Sequence, residues 1–195
     1  MRLMLKLLAL ALFLGFFLSI YLFGFFWYKS FDEKAESLSL ASGSLPVSMT
    51  IFGRSSDTIS ARVNIYNSTG ETLASLERSW PGWELILDCV LIGTKKGWIV
   101  FPYSVYSDET SPRGGSNLIR FYDNKGNPSL WEEMNLEKEQ KLFLKQLFFI
   151  VKTERWLPSV FGSLHHEKVT IRSFESGMEY GLYLSEEGTL FLKGY

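Results

Sequence analysis

From Leu7 to Tyr28 the chain runs through 22 residues without a charge, broken only by Gly15, Ser19 and Gly24. A helix of that length rises about 1.5 Å per residue and covers roughly 33 Å, enough for a hydrocarbon core of about 30 Å. No other stretch of the sequence offers such a block. The expectation is one transmembrane helix within residues 1–28, with the lipid bilayer as its partner.

A cleaved signal peptide has a shorter apolar stretch, about 7–15 residues, ending in small residues. This block ends instead in Phe25-Phe26-Trp27-Tyr28-Lys29. Trp27, Tyr28 and Lys29 read as an interfacial aromatic belt followed by a charge, the mark of an uncleaved signal-anchor. Arg2 and Lys6 precede the span, whereas Lys29 and Lys34 beyond it are diluted by Asp32, Glu33 and Glu36. The positive-inside rule then places the N-terminus in the cytoplasm and the remainder outside the cell membrane. Ala11, Gly15 and Ser19 recur every four residues and share a helix face, where small side chains let two helices approach. A homodimer through this face is one expectation; chance in a segment with few small residues is the plainer account.

Residues 29–45 are small, polar and charged, and read as a tether. As a flexible chain it would reach on the order of 20–25 Å. The domain is expected at 46–195. With Arg2 and Lys6 set aside, 18 basic residues face 21 acidic ones, a net charge of −3. No basic run exceeds Lys95-Lys96, so nucleic acid is excluded as a partner. Cys89 is the sole cysteine, which rules out an intramolecular disulfide.

From Val47 onward apolar residues alternate with polar ones. Val47, Met49 and Ile51 form one such set, and Ile59, Ala61, Val63 and Ile65 another. Period two is the signature of a sheet with one wet face. Turns are expected at 67–70, 123–126 and 186–188, where Asn, Asp, Glu and Gly cluster. The two most apolar strands, 83–92 and 97–103, should lie at the sheet centre. Further strands are expected at 117–123 and 128–133. One principal helix is predicted at 135–152, capped by Asn135, with Leu136, Phe143, Leu147, Ile150 and Val151 on one face, widened by Leu144 and Phe148. Strands near 166–174, 179–185 and 189–193 end the chain. The fold class is α+β: a mostly antiparallel half-open barrel or sandwich with one principal helix.

The chemistry on offer is sparse. His165 and His166 are adjacent, so on a strand they point to opposite faces. His165 and Glu167 share a face and could give two metal ligands, but a catalytic zinc needs three, and no tract supplies the third. There is no G-x-S-x-G and no phosphate loop. Cys89 falls on the face of Leu85, Leu87 and Leu91 and reads as a small buried hydrophobe. Asn67-Ser68-Thr69 is a glycosylation sequon at a turn. Trp80 and Trp83 flank Pro81-Gly82, which suits a type II turn. With Trp98 and Phe101 they could line an apolar concavity, although packing is the plainer role. No cofactor is expected. The sequence favours a membrane-tethered extracytoplasmic domain of non-catalytic character, binding an envelope protein or other ligand. The alternatives are a membrane-bound hydrolase or metal-dependent enzyme using His165 and His166, and a barrel for lipid or another apolar ligand.

Overall fold

Alternation decides the first sheet. The alternating apolar residues Val47, Met49 and Ile51 of β1 (Gly43–Arg54) and Ile59, Ala61, Val63 and Ile65 of β2 (Thr58–Tyr66) are buried, and they meet in register, Met49 against Val63 and Ile51 against Ala61. The polar residues between them stay on the wet side. There Arg62 donates to Glu77 of β3 (Thr72–Pro81) at 2.7 Å, and the Ser60 and Ser79 hydroxyls meet at 2.6 Å. These strands form a ladder with two from the far end of the chain. The computed structural model describes residues 6, 8, 10–22, 35, 38, 43–94, 97–110, 114–132, 134–154 and 164–195.

The remaining elements are β4 (Leu85–Thr94), β5 (Gly97–Ser107), β6 (Ser116–Asn117), β7 (Asp123–Asn124), β8 (Asn127–Pro128), β9 (His165–Ile171), β10 (Glu179–Leu184) and β11 (Leu190–Gly194). Helix α1 covers 10–22 and helix α2 Lys138–Glu154. Five strands run in the order β11-β10-β1-β2-β3 and four in the order β6-β5-β4-β9, while β7 and β8 make a small ribbon. Every pairing is antiparallel. Both sheets are open, and among the described residues no closed barrel forms. They share one core, in which Leu85, Leu87, Cys89 and Leu91 of β4 join Val47, Met49, Ile59 and Val63 of the first sheet.

The predicted helix is present, with its start moved. Glu137, not Asn135, stands at the cap: Lys141 N–H donates to the Glu137 carbonyl at 3.0 Å, and Gln140 Oε1 accepts the Glu137 N–H at 2.8 Å. That backward reach by a side chain three residues on is half of a capping box. Phe143, Leu144, Leu147, Phe148 and Val151 are buried as the periodicity required, and Ile150 lies at the margin. The helix covers the four-stranded sheet through Phe101, whose ring stacks on Phe148 at 5.9 Å and meets Trp131 edge-on at 5.0 Å.

The expected strands at 117–123 and 128–133 are cut short. Asn117 Oδ1 accepts the Ile119 N–H at 3.0 Å, turning the backbone into a 3-10 turn over Ile119–Phe121. The reason is burial: Leu118, Ile119 and Tyr122 all point inward, a helical spacing, and Tyr122 donates its hydroxyl to the Pro102 carbonyl at 2.7 Å. The 123–126 turn forms as expected, with Lys125 at φ 51° and Gly126 at φ 88°. Its second arm stops at Pro128 and becomes a 3-10 turn over Ser129–Trp131.

Two findings concern the N-terminal third. Within the segment read as a tether, Ala35 and Leu38 are buried in the core, and β1 already begins at Gly43. Among the described residues no helix is long and apolar enough to cross a membrane. The described part of the predicted span, 10–22, is helical and apolar but shorter than a bilayer requires. Trp27, Tyr28 and Lys29 lie outside the described residues.

Candidate functional site

Asp88 is the one charge in the run Leu85–Ile92. The strand is buried on both faces, and a carboxylate there needs a partner. Asp88 is 2% exposed, and His166 supplies the partner: its Nδ1 stands 2.8 Å from Asp88 Oδ1. The register explains the reach. β4 and β9 run antiparallel with Asp88 opposite Lys168 and Val90 opposite His166, so the imidazole meets the carboxylate on the diagonal.

The third strand completes the surroundings. Ser104 of β5 stands opposite Asp88 and Pro102 opposite Cys89, which leaves Tyr103 as the extra residue of a bulge. Bulges re-aim side chains. Here the Tyr103 ring stands perpendicular to the His166 imidazole at 5.0 Å. Tyr106 is also close by: burial raises its hydroxyl above the ordinary value, and the Asp88 charge adds to the effect, while Lys168 opposes it. The Ser104 hydroxyl is buried and has no hydrogen-bond partner among the described residues. It flanks Asp88 from the side away from β9, so serine, aspartate and histidine do not form a relay in that order. A carboxylate on one ring nitrogen does fix the tautomer and orientation of a histidine that is still 28% exposed, the arrangement a general base needs.

A second feature is a half-open cleft of about 600 Å³ between the start of β1, the β2–β3 turn and the segment before α2. Leu45, Pro46, Tyr66, Trp131 and Met134 give it an apolar floor and walls. Its size is within the range of small-molecule sites, roughly 300–1,000 Å³. Asn67 shapes one rim. Its Oδ1 accepts the Thr69 and Glu71 N–H groups at 3.1 and 2.8 Å, and its Nδ2 donates to Glu71 at 3.2 Å. The sequon asparagine is therefore a buried turn-former, and a glycan on its Nδ2 would require this turn to open.

The chain matches no protein-family model, no curated protein and no solved structure.

The aromatic residues expected to line a concavity occupy four separate environments. Trp80 is buried in the five-stranded sheet opposite Ile59, and its indole N–H lacks a partner among the described residues. Trp98 packs over Gly93 and Gly188 and donates to the Glu186 carbonyl at 3.3 Å. Phe101 lies beneath α2. Trp83 is 52% exposed, with the Arg54 guanidinium 5.5 Å from its ring. None of the four lines the cleft; Trp131 does. The two histidines diverge as adjacent strand residues must, His165 lying 3.1 Å from Glu167. Among the described residues no three His, Cys, Asp or Glu side chains converge to hold a metal ion. Cys89 is buried, and desolvation pushes its thiol far above the ordinary range, so it is no thiolate nucleophile. Ala11, Gly15 and Ser19 are exposed on α1, where the Ser19 hydroxyl donates to the Gly15 carbonyl at 2.8 Å.

The Pro81-Gly82 turn has a support outside the motif. Gly82 adopts φ 115°, and Asp108 accepts the Trp83 and Glu84 N–H groups at 2.8 and 3.0 Å. The Glu84 bond, ahead of the Trp83 one, lowers the Asp108 carboxyl below its ordinary value. A carboxylate lowered on folding stabilises above its unfolded pKa, about 3.9, and the contribution is lost as pH falls through the folded value. Asp108→Asn is expected to cost about 1 kcal/mol at neutral pH, a charged hydrogen bond discounted for solvent exposure. The melting-temperature gap to wild type should begin to narrow as pH falls below about 3.9 and close only below the lowered folded-state value, where wild-type Asp108 is neutral too. A gap that persists unchanged into acid would mean the amide fails for another reason.

Proposed function

We propose that this chain is a single-pass membrane protein that holds a β-rich interaction domain outside the cytoplasmic membrane. One observation carries the reading: α1 is apolar all round and its described residues are exposed all round, touching no part of the core. A helix with no polar face finds no stable place in water, and lipid is the solvent that suits it. The charge-free run from Leu7 to Tyr28 supplies the length, and Arg2 and Lys6 supply the cytoplasmic bias. The interaction site would be the cleft beside Tyr66 and Trp131, taking an apolar ligand or an apolar side chain of an envelope partner. Homodimerisation through Ala11, Gly15 and Ser19 belongs to the same proposal.

The test is protease treatment of intact cells, or of spheroplasts where an outer membrane is present. Loss of the domain with a protected N-terminal fragment one membrane span long is the expected result. Protection of the whole chain until the membrane is ruptured would sink the orientation.

The Asp88–His166 pair favours a second reading, in which His166 acts as a base in hydrolytic chemistry. His166→Ala separates the two: a lost phenotype with retained fold and abundance would favour the enzyme, and an unchanged phenotype would dismiss it.

A further inference from the structure

The outward face of α2 is unlike a solvated helix. Lys138, Leu142, Lys145 and Phe149 follow one another at intervals of four, three and four residues, so they line a single stripe, with Lys141 beside it. Leu142 is 58% and Phe149 65% exposed. Lys138, Lys141 and Lys145 are exposed and make no ion pair among the described residues. Lys152 does pair, with Asp123. Large apolar side chains interleaved along a stripe with unpaired lysines match the two layers of an anionic membrane surface. The apolar groups enter the acyl boundary while the ammonium groups reach the phosphates.

We propose that α2 docks the domain flat onto a bilayer rich in anionic phospholipid, with Leu142 and Phe149 inserted and Lys138, Lys141 and Lys145 on the headgroups. Charge complementarity chooses lipid over a protein groove: a helix-in-groove partner would need an apolar seam, and here each apolar residue has a lysine three or four positions away. The docking rests on the membrane tether proposed above, which brings the helix to the bilayer at high local concentration, so that one apolar stripe suffices.

The test uses the full chain in vesicles of phosphatidylcholine alone, or with one-third phosphatidylglycerol. Gln146→Cys carries an environment-sensitive fluorophore at the edge of the stripe; the native Cys89 is buried and does not compete. A blue shift and quenching by spin-labelled lipid are expected only in anionic vesicles at low salt. Lys138→Gln/Lys141→Gln/Lys145→Gln should lower the docked-to-free ratio by on the order of 100-fold, about fivefold per lysine. Equal emission in both vesicle types, or docking that survives the triple substitution, would overturn the proposal. Flotation of the same samples reads the tether separately. Chain that floats with neutral vesicles but shows no anionic shift keeps the anchor and loses the docked helix. Chain that floats only with anionic vesicles, and no longer does so after the triple substitution, keeps the docked helix and loses the anchor.

Discussion

Replacing Phe101 with alanine is expected to lower stability by about 3–5 kcal/mol, the range for removing a large aromatic side chain from a packed core. Phe101 is the point where the helix meets the sheet. It is fully buried, with Trp131 on one side and Phe148 on the other. Tyr122 also packs on Phe148, at 5.6 Å, so one deletion opens a space among three further rings. Because those rings come from different elements, the site cannot collapse by a simple shift, and the upper half of the range is the better guide. The measurement is the urea midpoint with its slope. A fall in midpoint at constant slope is expected. A cost below about 1 kcal/mol would show that α2 does not depend on this contact. Phe149→Ala on the same helix serves as the control, since it is exposed and should leave the midpoint within about 0.5 kcal/mol of wild type.

Much of this architecture is legible in the chain. Val47 to Ile65 alternate so regularly that one wet face follows at once, and Arg62, Asn64 and Ser60 do lie on it. The helix is legible because five buried positions repeat at its period. Two kinds of feature are not. The first is local competition: Leu118, Ile119 and Tyr122 lie in a run that looks β-prone, yet the Asn117 side chain and the inward pull of Tyr122 bend it into a 3-10 turn. The second is distance along the chain. β1 pairs with β10 across more than 100 residues of sequence, Met49 opposite Tyr180, and no periodicity encodes that partnership. Ala35 and Leu38 were hidden in the same way, as two apolar residues in a polar segment.

The polar cluster was the feature most open to detection. A strand such as Leu85–Thr94, apolar on both faces, is buried on both faces, and a lone aspartate within it must find a donor. That argument singles out Asp88 from the sequence, though it does not say which donor answers. His166 lies 78 residues away, and only the β4–β9 pairing brings it near.

That pairing sets up the last expected result. Asp88→Ala should cost about 3 kcal/mol, and His166→Ala at least as much, because each leaves a charged or strongly polar partner stranded in a poorly solvated place. The double replacement Asp88→Val/His166→Leu removes both groups and suits a β-strand. It should cost clearly less than either single change, and could be neutral, since apolar residues of similar volume often replace a buried pair without loss. Denaturant titration of the four proteins gives the coupling directly. Additive costs would mean that the two side chains act independently, and the cluster would then be ordinary packing. Strong coupling carries a further consequence. A pair that apolar residues can replace without loss of stability is not kept for stability, and the reason for keeping it must lie in what an oriented, part-exposed imidazole does. A stable double variant that also loses its cellular phenotype would therefore move His166 from the architecture of the sheet to the work of the protein.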